Sequence, residues 1–241
     1  MRRDFLLSLL AASLARPCMA ADAALAGVKR IAVVPLVGNV IRVVHDGQPA
    51  GTEGANPRRE ELPLDKPAFD YFAAWAAAAA LRKALPGVEP LKLAMPMLLP
   101  EMDPGSLARG LVALQTRLEN EGIIYALFIT RHRGPAQFDL GEKKVGSGAV
   151  EGVGFYINRD PEPAGRGYIA AHAYLKLALV EAASGRALHE SVVTAHRAQL
   201  AGDPDGFGPL EKMTVQDQVG VLRPLIDRGV ADTVPGLVGT S

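Results

Sequence analysis

Two stretches of this 241-residue chain, Lys29 to Leu36 (KRIAVVPL) and Ile123 to Thr130 (IIYALFIT), are apolar at successive positions rather than alternate ones. A strand built from such a run buries both faces, so its sheet must be covered on two sides. That requirement points to an α/β domain, because helices are the usual cover for such a sheet. With 49% hydrophobic and 22% charged residues the chain can supply the core, and nothing in it has a disordered composition.

The segments between the runs fit this scheme. Val40 to Val44 reads as a second strand, stopped at Asp46-Gly47. Gln48 to Leu64 mixes turn formers with charge, around Pro57-Arg58-Arg59-Glu60-Glu61, and reads as an exposed, mobile loop. Asp65 stands where it can cap a helix with Pro67 in its first turn and Phe69, Phe72, Ala76 and Ala80 on one face; Pro86-Gly87 ends it. Val88 to Ala94 reads as a strand. A second helix runs from Asp103 to Asn120 with Leu107, Leu111, Leu114 and Leu118 aligned, closed by Glu121-Gly122.

After the second apolar run the pattern turns to successive strands, around 136–140, 148–157, 168–181 and 186–196, the last two forming a hairpin about Ala183-Ser184-Gly185. A closing helix begins at the Thr214 and Asp217 capping-box positions, with Pro224 expected to kink or split it. The fold class is therefore α/β (α+β). It is a single domain over 21–241: a mixed β-sheet with helices packed on it, a C-terminal antiparallel β-hairpin and a closing helix.

Residues 1–20 have the form of an export signal: Arg2 and Arg3, then the apolar run Phe5 to Ala15, then Cys18-Met19-Ala20 as a small-x-small cleavage site, with Ala21-Asp22-Ala23 and Ala24-Leu25-Ala26 as alternatives. The apolar run is too short to span a bilayer. RRDFL resembles the twin-arginine export signature, without the usual Ser or Thr before it. Cys18 is preceded by Arg16 and Pro17, unlike a lipoprotein signal. Cleavage after Ala20 would leave no cysteine in the mature chain, which excludes thiol catalysis and Cys-ligated metal. It would also remove three arginines against one aspartate from a neutral chain, leaving a slightly acidic domain unsuited to nucleic acid.

KRIAVVPL, YALFIT and the hairpin ALVEAASGRALHES together resemble, in layout, bacterial envelope domains of the curli-secretion and penicillin-binding-protein-activator type and the N-terminal domain of translocation protein TolB. The resemblance implies a periplasmic assembly or regulatory module. It implies no site residue.

Local motifs commit to little chemistry. Gly146, Gly148, Gly152 and Gly154 match no phosphate-binding pattern and lie between strands, as turn and bulge glycines do. No GxSxG elbow, no His pair at metal-ligand spacing and no cofactor signature occurs. Two clusters remain. Arg131, His132 and Arg133 follow the central strand at its carboxyl end, where α/β sheets bind ligands, and suit a small anionic ligand; the plainer reading is a solvated strand end. In the hairpin, Leu175, Leu177 and Leu179 share one face while His172, Tyr174 and Lys176 share the other. A three-residue turn pairing Ala182 with Arg186 puts His172 opposite His196, Tyr174 opposite Thr194 and Ala178 opposite Glu190.

His172, Tyr174, Lys176, Glu190 and His196 thus form a candidate polar site, or simply the wet side of an antiparallel sheet. Two adjacent imidazoles would resist double protonation. The sequence favours an exported, non-catalytic binding or assembly module with an envelope partner. The alternative is a small-molecule-binding or hydrolytic enzyme using this face.

Overall fold

The computed structural model describes residues 25, 27–46, 57–93, 114–159, 166–204 and 206–239. The first apolar run forms β1 (Arg30–Leu36), whose interior positions are all buried. β2 (Val40–Asp46) follows. The second run forms β5 (Tyr125–Arg131), hydrogen-bonded on both sides, parallel to β1 and antiparallel to β10 (Tyr168–Glu181). β4 (Glu89–Lys92) closes that side of the sheet, in parallel with β1.

The other side differs from the sequence reading. Residues 58–63, read as the second half of a mobile loop, form the edge strand β3 (Arg58–Pro63), antiparallel to β2 with Val43 opposite Glu60. Charge along the strand and a proline at its end are what an exposed edge tolerates and what disguised it. β9 (Ala149–Asn158) lies between β2 and β10, giving the order β3-β2-β9-β10-β5-β1-β4, with β11 (Ala187–Leu200) also on β10. The domain is a mixed α/β fold.

One face is covered by α1 (Ala68–Ala84) and the closing helix α3 (Val215–Leu237). α1 buries Phe69, Ala73, Ala77 and Leu81, so its small residues let it sit close to β1; Phe72 and Ala76 lie only at the margin of the stripe. Asp65 does not cap it. Pro67 occupies the N-cap position with no side-chain cap, and a first-turn carboxylate acts elsewhere: Asp70 Oδ1 accepts the backbone N–H groups of Val37 (2.7 Å) and Gly38 (3.0 Å). These bonds tie the β1–β2 turn to the helix, while burial raises the Asp70 pKa above its usual 3.8.

α3 starts with the expected Thr214–Asp217 capping box and fully buries Leu222, Ile226, Val230 and Val234 at four-residue spacing. It runs unbroken through Pro224, so the expected split does not occur. Packing of this apolar stripe on the sheet and α1 outweighs the lost ladder bond.

The opposite face has two covers. The described end of the second helix, α2 (114–120), places Leu114 and Leu118 over Ala32, Val34, Ala126 and Phe128. Beside it lies a flap made of β6 (Arg133–Pro135), β7 (Phe138–Leu140) and β8 (Lys143–Val145). The flap encloses a separate cluster with Phe138, Val150, Tyr156, Tyr168, Ala170 and Tyr174. The segments 1–20 and 103–113 and the first part of the expected loop, 48–56, lie outside the described residues.

Candidate functional site

β10 is 14 residues long, and β9 and β5 share one of its edges end to end. Arg131, the last residue of β5, is opposite Leu175; Gly152 of β9 is opposite the next residue, Tyr174. Residues 132–151 are thus an excursion between two halves of one ladder, and the excursion is the flap. Its two roots are joined: His132 N–H donates to the Tyr174 carbonyl (3.0 Å) and Gly152 N–H to the His132 carbonyl (3.1 Å). Gly152 makes the bend at φ +67°, a conformation open to glycine and costly for most other residues.

The candidate residues gather around this fork. The hairpin pairs as expected through its body, with His172 opposite His196, Tyr174 opposite Thr194 and Ala178 opposite Glu190. The turn does not: the register shifts between Leu179 and Val180, and Glu181 N–H, not Ala182, bonds to the Arg186 carbonyl. Across the sheet the row reads Glu61, Arg42, Gly154, His172, His196, from β3 to β11.

The wet-face reading of His172 and Tyr174 is overturned. His172 is fully buried and Tyr174 is 2% exposed, because the flap sits over them: the Phe138 ring is stacked at 6.2 Å from the His172 ring, and Gly134 lies against the Tyr174 ring. His172 Nδ1 lies 3.2 Å from the Gly152 carbonyl, which can only accept, so Nδ1 carries the proton. Nε2 is left as a buried acceptor with no hydrogen-bond partner. Burial holds the His172 pKa down to about 4, opposed by the Gly152 carbonyl and aided by Arg42 and then His196. The expected imidazole repulsion is therefore present but is the smallest of these effects.

His196 is spent on the flap. Its Nε2 accepts the Asp139 backbone N–H at 3.0 Å, and its ring meets Phe138 edge-on at 5.6 Å. Tyr174 donates its hydroxyl to the Pro135 carbonyl (3.1 Å), and burial raises its pKa above 10. At the far end Ser147 Oγ donates to Asp46 Oδ2 (2.6 Å), and the Tyr156 hydroxyl donates to the same oxygen. Burial first, and then Asp46, raise the Tyr156 pKa. Neither Asp46, Ser147 nor Tyr156 stood out in the sequence, where 110 positions separate the outer two.

The cationic cluster is dispersed. Arg131 Nε pairs with Glu151 Oε1 at 3.7 Å, while burial and the nearby Arg42 charge lower its pKa from the usual guanidinium value. Arg42 pairs with Glu61 at 3.0 Å. His132 is half-buried at the fork and Arg133 is exposed on β6. Lys176 and Glu190 pair at 2.9 Å, both partly exposed. Arg42 and Glu61 were missed because the loop reading of 48–64 hid the strand that carries Glu61.

Among the described residues no group of three or more His, Cys, Asp or Glu is placed to hold a metal ion, and no helix is long and apolar enough to cross a membrane.

No family model and no curated protein matches the chain. Solved structures resemble it in arrangement. A DUF330-family protein from Xanthomonas campestris aligns over 88% of this chain and 81% of its own, at 11% identity and a TM-score of 0.38. PelC from Paraburkholderia phytofirmans, solved as a dodecamer, aligns over 92% and 91%, at 10% identity and 0.34. Lipoprotein GNA1162 from Neisseria meningitidis aligns over 84% and 98%, at 12% identity and 0.33. At such identities and scores no residue role or partner is carried over.

Proposed function

We propose that this chain is an exported bacterial binding or assembly module of the cell envelope, and that the row around His172 is structural rather than catalytic. One observation carries the second half of this reading. Two of the candidate side chains hold the flap down, Tyr174 by its bond to Pro135 and His196 by its bond to Asp139, and the bonds of Asp46 to Ser147 and Tyr156 secure its far end. Ser147, the hydroxyl nearest to nucleophile chemistry, gives its proton to a carboxylate rather than to an imidazole. The hydrolytic alternative draws support from one atom, His172 Nε2, a deprotonated and unpartnered base. Phe138 stands between that ring and any substrate.

Export rests on the charged start, short apolar run and alanine-rich exit of residues 1–20. Intact-mass analysis of the periplasmic fraction is expected to give a chain beginning near Ala21, without lipid. Full-length protein retained in the cytosol would contradict it. Arg2→Lys with Arg3→Lys is expected to block export if the twin-arginine route is used.

A further inference from the structure

Away from the flap, on the helix-covered face, the sheet edge β3-β2-β9 and the start of α3 border a half-open cavity of about 270 Å³. Its floor is Val43 and His45 of β2, Glu60 and Leu62 of β3 and Ile157 of β9. Its roof is Leu210 and Glu211 of a 3-10 turn (Leu210–Lys212), then Met213 and Gln218. We propose that this cavity binds a small organic cation: an ammonium or amidinium head on a short apolar body. The proposal concerns the folded domain wherever it acts, so it stands or falls separately from export and from the reading of the flap.

The polar groups in the cavity ask for a donor. Gln218 is 5% exposed, and its amide nitrogen reaches the Met213 carbonyl at 3.5 Å, which leaves Oε1 buried with no hydrogen-bond partner. An unpaired carbonyl at that depth is costly, and such groups are usually satisfied. His45 Nε2 also lines the cavity, 3.5 Å from Glu60 Oε2.

Glu60 and Glu211 add carboxylates, which only accept when ionised. One oxygen of each is engaged, Glu211 Oε1 in an ion pair with Arg159 and Glu60 Oε2 facing His45 Nε2. An ammonium or amidinium has donors and no acceptor, which complements this set; a carboxylate or phosphate would meet three groups of its own polarity. The remaining walls, Val43, Leu62, Ile157, Leu210 and Met213, suit an apolar body. The volume is roughly that of nine waters in the liquid, enough for a single substituted ring.

Benzamidine, neutral benzamide and anionic benzoate test the claim on the cleaved protein by methyl NMR titration, read at Val43, Leu62 and Leu210. Benzamidine is expected to bind saturably at these methyls, benzamide about tenfold more weakly or worse, and benzoate not at all. Gln218→Leu removes the orphaned acceptor while keeping volume, and is expected to lower benzamidine affinity by about tenfold without lowering the melting temperature. Should that variant not fold, Glu60→Gln on the exposed edge strand takes its place with the same expected direction. No saturable shift with benzamidine overturns the proposal. So does equal binding of all three probes, or unchanged affinity in the folded variant.

Discussion

Gly154→Ala is expected to abolish or nearly abolish folding. A Cβ at this position would lie 1.8 Å from the Arg42 carbonyl oxygen and 2.6 Å from its carbon, and neither can move as a flexible side chain does. Gly154 pairs with Arg42 on one side and His172 on the other, so its backbone is the tightest point of the row. Relief requires β2 and β9 to separate, which would detach β3 with them. The cost is on the order of 4 kcal/mol or more, a large part of a domain's total stability. The control is Gly220→Ala in α3, where an added Cβ meets nothing within 4 Å; there alanine is expected to be neutral or to stabilise by up to about 1 kcal/mol. Urea midpoints for the two variants check this, and a wild-type midpoint for Gly154→Ala would mean that β2 and β9 pair in some other register.

The second large effect is acid sensitivity from His172. In the unfolded chain this imidazole takes a proton near its ordinary 6.5, whereas in the folded protein burial holds the pKa to about 4. Above pH 6.5 both states are neutral and the full stability is present. Between 6.5 and 4 only the unfolded state gains the proton, so stability falls with pH, by on the order of 3 kcal/mol across the window. Wild type is expected to lose urea resistance steadily from pH 6.5 to 4.5. His172→Phe, which keeps an aromatic ring against Phe138 and cannot be protonated, is expected to flatten that part of the profile. Parallel profiles for the two proteins would show that His172 does not carry the effect.

Both effects depend on a face whose residues were legible in the sequence and whose surroundings were not. The hairpin register could be read because side-chain alternation and a short turn specify pairing locally, and a bulge at the turn left the body unchanged. What covers His172 could not be read this way. β6, β7 and β8 are three residues each, too short to show a period, and they reach β10 only because the chain leaves the ladder at His132 and rejoins it at Gly152. A histidine and a tyrosine alternating with apolar residues look the same whether water or the flap lies above them.

The edge strand β3 was hidden for a related reason. Arg58, Glu60 and Leu62 share a face by alternation, yet charge and flanking turn formers outweighed that pattern. At Asp70 a residue read as part of an amphipathic helix has its carboxylate committed 32 and 33 positions away. In each case the deciding partner is distant in sequence.

The claim that the His172 row is closed and structural is tested most directly by NMR titration of the His172 ring. In wild type its Cε1–H resonance is expected to hold still from pH 8 to about 5, with protonation only near 4. In Phe138→Ala, which uncovers the ring, the midpoint is expected to move up toward 6.5. A wild-type midpoint near 6.5 would contradict the account: it would mean that the flap stands open in solution and that His172 is a solvent-accessible base.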